Sequence, residues 1–150
     1  MTAQIDFASI GDQIGQEIAV SPWLDVTQER INAFAEATDD RQWIHVDPAR
    51  AAAASPFKST IAHGFLTLSL VSVLLRTAMT FSVKMAINYG LNRVRFVSAV
   101  PVGSRIRGHF TPGSVEQVVG GVQVTWTISI EREGQDKPAC VAEWIVRYYL

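Results

Sequence analysis

Asp40 and His45 are the residues whose types and spacing point most clearly to chemistry. They lie five positions apart in an irregular, mostly polar segment, so their side chains can converge on one small polar target. Both groups accept protons, and histidine is the side chain whose ordinary pKa lies near neutrality. The spacing leaves a second interpretation open, in which Asp40 caps a turn and His45 is a half-buried, hydrogen-bonded residue.

A second candidate is Gly64, which follows His63 and precedes a long apolar run. Unpaired backbone N–H groups and the positive end of the helix dipole favour negative charge at the start of a helix. Glycine also lets a ligand approach the backbone closely, as stabilisation of a developing oxyanion requires. If the glycine is considered alone, a tight entry into the helix is the simpler explanation.

Ser69 and Ser72 form the third candidate, because they lie on one stripe of that same apolar run. A buried hydroxyl without a partner costs about 1–3 kcal/mol, so each must find one. The partner is either a helical carbonyl three or four residues back or a group at the mouth of a cleft.

Other chemistries lack their motifs. The chain contains neither of the glycine-rich phosphate motifs, G-x-G-x-x-G and G-x-x-x-x-G-K-[ST], and no G-x-S-x-G. His45, His63 and His109 lack companion ligands at metal-binding spacings, so we expect no metal and no separate cofactor. Cys140, the only cysteine, excludes an internal disulfide, and its neighbour Val141 in a predicted strand favours a packed thiol.

Charge and composition narrow the class of protein further. Thirteen basic against fourteen acidic residues give no electrostatic footprint for nucleic acid or an anionic membrane. The first fifteen residues lack the basic start and apolar run of a signal peptide, so we expect a cytoplasmic protein. Four arginines alternate along two predicted strands and indicate a solvated face or, alternatively, contacts to a phosphate-rich ligand: Arg93, Arg95, Arg105 and Arg107.

Helices dominate the first half of these 150 residues, which we expect to form a single domain over 1–150. Thr27 can cap a helix over 28–37, and Pro48 can open a short one through Ala53. The run from Phe65 to Met79 is apolar almost all round, which predicts a helix that is covered on most sides.

Strands dominate the second half, and we expect the sheet that they form to cover this helix. Val122 to Glu131 alternates without a fault, and shorter alternations span 92–96 and 104–110, before an apolar run over 140–149. Pro112-Gly113, Gly120-Gly121 and Gly134 are typical of the connections between strands. The predicted architecture is an α+β fold, an antiparallel sheet wrapped around one central helix. Its free sheet edge predicts a homodimer.

Three segments together resemble the hydratase motif of MaoC-like proteins: Ala37 to Pro48, Pro56-Phe57 and Ile61 to Ser69. This family comprises the (R)-specific enoyl-CoA hydratases of the hot-dog fold, with NodN-like proteins among its members. The stretches Ile87 to Phe96 and Pro101 to Ser104 are similar to the strands after the helix in single-domain actinobacterial members. The resemblance extends from about Gly15 to Tyr149.

The resemblance implies a role for each candidate. Asp40 and His45 match the pair that holds and activates a water molecule, and Gly64 matches the glycine whose N–H polarises the thioester carbonyl. His63 is grouped with Gly64 on the substrate-binding side, and Ser72 matches a helix serine near the catalytic aspartate. Gln42 is a departure, because many hydratases carry at its position an asparagine that helps to hold the water.

The implied reaction is the hydration of a trans-2-enoyl-CoA to an (R)-3-hydroxyacyl-CoA, or its reverse, with an acyl-CoA thioester as the only small-molecule partner. One alternative is a hot-dog acyl-CoA thioesterase, which generally places a carboxylate on or beside the central helix. The run from Phe65 to Met79 contains no such residue. A non-catalytic subunit of a hetero-assembly is the other alternative, and it would be expected to have lost Asp40 or His45.

Overall fold

The order of the helices and strands follows the predicted division into a helical first half and a strand-rich second half. The computed structural model describes residues 3–150, so Met1 and Thr2, the start of the segment considered for a signal peptide, lie outside the described residues. The helices are α1 (Gln28–Thr38), α2 (Trp43–Val46), α3 (Pro48–Ala54), α4 (Gly64–Ser69) and α5 (Val71–Ala78). The strands are β1 (Ala3–Gln4), β2 (Ala19–Val20), β3 (Leu24–Asp25), β4 (Met79–Thr80), β5 (Met85–Arg95), β6 (Arg105–Val118), β7 (Gly121–Arg132) and β8 (Cys140–Tyr149).

Helix α1 begins as its sequence predicts. The Thr27 hydroxyl accepts a hydrogen bond of 3.2 Å from the backbone N–H of Arg30, which satisfies one of the free donors of the first turn. Ile31 and Ala35 are buried on one face of the helix. The helix ends at Thr38. The next residue, Asp39, has a φ of 60° in the left-handed region and begins the turn that leads to Asp40.

The predicted central helix is present, as two segments that meet at Leu70. Hydrogen bonds from Leu70 to Leu66 and from Leu74 to Leu70 carry the helical pattern across the junction. The prediction that this helix is covered on most sides is wrong for its first part. Phe65 is 68% exposed, whereas the next residue, Leu66, is buried.

One curved antiparallel sheet packs against α5 in the strand order β2-β6-β7-β8-β5, and β3 also pairs with β6. The face of β7 toward the helix is the one that its alternation predicts, with five side chains that are at most 1% exposed: Val122, Val124, Trp126, Ile128 and Ile130. The indole N–H of Trp126 donates to the hydroxyl of Tyr148 (2.9 Å), so these two fully buried side chains are hydrogen-bond partners. This architecture confirms the predicted α+β hot-dog fold.

Two strand predictions are wrong in their bounds. Pro112 and Gly113 do not connect two strands, because β6 runs through them with a register shift between Pro112 and Ser114 that accommodates the missing N–H. Strand β5 begins at Met85 rather than at Asn92, and Phe96 lies beyond its end. The early part of β5 has no buried residue to mark it, so no alternation in the sequence revealed it.

The outer edge of β5 is apolar and uncovered. The strand pairs with β8 on one side, and no strand among residues 3–150 pairs with its other side. Four of its apolar side chains are 42–56% exposed: Met85, Ile87, Tyr89 and Leu91. An exposed, apolar edge strand is a template for pairing with another chain.

The alternating arginines of β6 belong to a surface ion-pair network. Arg105 pairs with Glu133, and Arg107 pairs with Glu131 (N···O 2.6 Å) while its guanidinium lies 4.4 Å from the ring centre of Trp23. These contacts agree with the predicted solvated face.

Burial raises the pKa of the Cys140 thiol to about 11, so this cysteine is the packed, unreactive thiol that the sequence predicts. Among the described helices, none combines the length and apolar character needed to cross a lipid bilayer.

Candidate active site

Asp40 is presented by the tight turn after α1. Arg41 stabilises this turn by donating to the carboxylates of Asp39 (2.8 Å) and Glu36 (2.8 Å). The backbone N–H of Gln42 lies 3.5 Å from Oδ1 of Asp40, and the Asp40 side chain is exposed to solvent. The turn therefore holds the Asp40 carboxylate at the surface end of the site.

His45 lies on the one-turn helix α2 rather than in an irregular segment, and it is buried. Its Nδ1 lies 2.7 Å from the carbonyl oxygen of Ile61. Because a carbonyl can only accept, Nδ1 carries the hydrogen, and a lone pair is left on Nε2 of the neutral ring. Burial lowers the pKa of His45 below its ordinary value of 6.5, and the bond to Ile61 opposes this shift only in part. The neutral, proton-accepting form is thus favoured.

Two residues that the sequence did not single out hold α2 in place. The side-chain amide of Gln28 donates to the main-chain carbonyl of His45 (2.8 Å), and the hydroxyl of buried Thr60 donates to the other end of the same amide. These contacts link distant parts of the chain, so no local motif could have revealed them.

His63 joins Asp40 and His45 in one cluster. A side-chain nitrogen or oxygen atom of each of the three residues lies within 4.8 Å of the others. The rings of His45 and His63 stack with their centres 3.8 Å apart and an angle of 24° between their planes. The structure therefore brings together the predicted pair and a third residue that the sequence grouped with Gly64.

Aspartate and histidine are also metal ligands, so the proximity of these three side chains makes metal binding an alternative use of the cluster. A metal ion lies near the plane of each imidazole that binds it. The two rings here are nearly parallel and one above the other, so their lone pairs lie in separate planes and are not aimed at one point. This arrangement fits proton transfer better than metal binding.

Gly64 opens α4, as predicted. The His63 side chain does not cap the first turn of this helix. The first hydrogen bond of the helix runs from the Thr67 N–H to the His63 carbonyl (3.1 Å). A Cβ at Gly64 would lie 3.0 Å from the ring of Phe96, so a larger residue here would require that ring to shift. A cavity of about 300 Å³ begins there, and its lining includes Gly64, Ile61, Phe96 and Val100.

The structure does not bring Ser72 into that cavity. Ser72 lines a separate cavity of about 200 Å³ along α5, together with Leu75, Asn88, Trp144 and other residues. Ser69 donates to the carbonyl of Phe65 (2.6 Å), which is the ordinary helical partner. The two serines therefore have different surroundings although they share one stripe of the helix.

Gln42 lies at the start of α2, and its exposed side chain does not cap the helix. It follows Asp40 by two residues and stays near the cluster through its backbone contact to the Asp40 carboxylate.

Comparison with known proteins identifies the family of the chain. The profile of the family described as "MaoC like domain" matches residues 9–133. The chain is 54% identical over 143 residues to the 3-hydroxyacyl-thioester dehydratase Z of Mycobacterium tuberculosis (strain ATCC 25618 / H37Rv), which covers 94% of this chain and 91% of that protein. It is 44% identical over 145 residues to Nodulation protein N of Rhizobium meliloti (strain 1021), covering 95% and 90% of the two chains.

Among solved structures, the (R)-hydratase from A. caviae involved in PHA biosynthesis superimposes with a TM-score of 0.72 at 27% identity, over 89% of this chain and 94% of that one. The matched profile covers most of the chain, and the two relatives cover nearly all of it. The chain therefore belongs to the MaoC-like dehydratase family.

Proposed function

We propose that this dehydratase of the MaoC type adds water to a trans-2-enoyl-CoA and forms the (R)-3-hydroxyacyl-CoA, or catalyses the reverse dehydration. The observation that carries the proposal is the pairing of the Asp40 carboxylate with a buried His45 whose hydrogen is held on Nδ1. The names of the dehydratase Z and of the A. caviae hydratase support the same reaction class.

The chemistry follows from the electron distribution of the substrate. The Cβ of an enoyl thioester is electrophilic, and attack by water moves negative charge onto the thioester oxygen. His45 accepts one proton of the water through its Nε2 lone pair, and Asp40 accepts a hydrogen bond from the same water. The proton then goes to Cα, so the O–C bond and the new C–H bond form on the same face of the double bond.

Stabilisation of the thioester oxygen is assigned to the first turn of α4. The Gly64 N–H is the proposed donor, and removal of one donor from an enzyme's oxyanion hole typically costs about 2.7–4 kcal/mol. The cavity that begins at Gly64 supplies the space for the thioester group. Ile61 lines this cavity and its carbonyl holds His45, so it connects the proposed thioester site with the proposed base.

The cavity along α5 is the proposed place of the acyl chain. Leu75, Trp144, Val146 and other apolar residues line it, and an apolar lining suits a hydrocarbon chain. Ser72 lies in its wall, so its hydroxyl is expected to contact the bound substrate. Gln42, one methylene longer than asparagine, is proposed to help hold the water through its side-chain amide.

The proposed reaction needs no metal and no separate cofactor, because CoA belongs to the substrate and the charge changes are handled by Asp40, His45 and Gly64. The cytoplasmic location and the absence of a nucleic-acid partner stay predictions.

A homodimer is the proposed assembly. The exposed apolar side chains of β5 and the free pairing edge of this strand would both be satisfied if two copies joined edge to edge.

Substitutions at the pair test the mechanism. Asp40→Asn keeps the shape and removes the charge, and His45→Gln removes the proton acceptor. Each change should lower kcat for a C4 enoyl-CoA by about 10²–10⁴-fold, the usual contribution of general acid–base catalysis. The double variant should be little slower than either single one, because residues that act on one water are non-additive.

Asp39→Asn is the matched control, since Asp39 is the neighbouring carboxylate and accepts a hydrogen bond from Arg41. It should leave kcat nearly unchanged. Circular dichroism and thermal melting must first show that all variants are folded. Full hydratase activity in a well-folded Asp40→Asn protein would contradict the mechanism.

The pH dependence of kcat/KM tests the state of His45. The base must be neutral, and the lowered pKa of His45 keeps it neutral to a lower pH than an ordinary histidine. The acidic limb of the kcat/KM profile should therefore be centred below pH 6.5. A limb centred at or above this pH would show that burial of His45 does not control the base.

Light scattering at micromolar concentration tests the dimer. We expect a particle of twice the 16.5 kDa chain mass. Leu91→Lys places a charge on the apolar edge of β5 and should give the single-chain mass, whereas Val119→Lys, on a 97% exposed turn residue, should not change the mass. A stable monomer of the unmodified chain, or a Leu91→Lys protein that stays dimeric, would contradict this interface.

A further inference from the structure

His63 is buried and packs against two rings. It is 2% exposed, and its ring centre lies 4.9 Å from that of Phe34 and 3.8 Å from that of His45. The His63 ring thus excludes water from one face of His45.

The Nε2 atom of His63 lies 2.9 Å from the main-chain carbonyl oxygen of Asp40. Because this oxygen can only accept, Nε2 carries the hydrogen. This carbonyl belongs to the residue after Asp39. Asp39 has a φ of 60°, which is uncommon for residues other than glycine. His63 therefore holds the backbone at the turn that presents the Asp40 carboxylate.

The other ring nitrogen, Nδ1, is fully buried and has no hydrogen-bond partner within the described part of the chain. A buried polar atom without a partner is unfavourable, so a phenylalanine would fill this space at lower cost. Packing alone does not explain a histidine here. The useful feature of the side chain is the Nε2–H that phenylalanine lacks.

We propose that His63 is a positioning residue of the Asp40–His45 pair, whose Nε2–H fixes the main chain of Asp40. This hydrogen bond keeps the Asp40 carboxylate directed at the same water molecule as His45. The kinetic consequence rests on the proposed hydratase function, whereas the tautomer assigned to His63 does not.

Two variants separate the donor from the ring. His63→Gln places an amide N–H near the position of Nε2 and can still donate to the Asp40 carbonyl, whereas His63→Phe keeps a stacked ring without a donor. We expect His63→Gln to retain kcat within about threefold. His63→Phe should lose about 10–100-fold in kcat with KM nearly unchanged, because small misplacements of catalytic groups cost up to about 10²-fold.

The kinetic result has clear alternatives. If folded His63→Phe has the kcat of the unmodified chain, or if folded His63→Gln is as slow as His63→Phe, the hydrogen bond to Asp40 is not what His63 provides and the proposal is overturned. Thermal melting of both variants shows which of them are folded.

Long-range ¹H–¹⁵N spectra of the unmodified chain at pH 8 supply a test that needs neither variant activity nor substrate. We expect the Nε2–H tautomer for His63 and the Nδ1–H tautomer for His45, with the signals assigned by their loss in His63→Gln and His45→Gln. An Nδ1–H tautomer at His63 would overturn the proposal even if the enzyme is active. Absence of hydratase activity with the expected tautomers would instead refute the proposed function alone.

Discussion

The carbonyl group of Ile61 is the point on which the arrangement of the site depends. Its oxygen binds Nδ1 of His45 at 2.7 Å, and this single bond sets both the orientation and the tautomer of the proposed base. The residue itself is held from both sides. Its N–H donates to Ile44 of α2 (3.1 Å), while the next N–H, of Ala62, donates to Val100 (2.8 Å). Helix α2 and the segment between β5 and β6 thereby both hold the carbonyl that orients the imidazole.

The two proposed proton-handling groups lie in different environments. His45 is buried, and the resulting loss of hydration lowers its pKa, so that it stays neutral and basic. Asp40 is exposed at a turn stabilised by Arg41. A buried imidazole beside a solvent-accessible carboxylate lets water reach the pair while the base remains uncharged, as an addition of water requires.

The sequence predicted those features that depend on local patterns. The alternation of β7 predicted its buried face, and Thr27 predicted the start of α1. The five-residue spacing of Asp40 and His45, together with the resemblance to MaoC-like proteins, predicted that the two residues meet. Each of these signals lies within a short stretch of chain.

What the sequence did not reveal depends on contacts between distant segments. The position of His63 beside His45 results from backbone carbonyls, which have no signature in the side chains. The start of β5 was missed because an exposed edge strand has no buried alternation.

Incubation with a C4 trans-2-enoyl-CoA in D₂O, followed by stereochemical analysis of the product by NMR, tests the central claim most directly. The account predicts (R)-3-hydroxyacyl-CoA with one deuterium at C2, added to the same face as the hydroxyl group, because one water held by Asp40 and His45 supplies both. Release of free CoA, an (S) product or addition to opposite faces would contradict it.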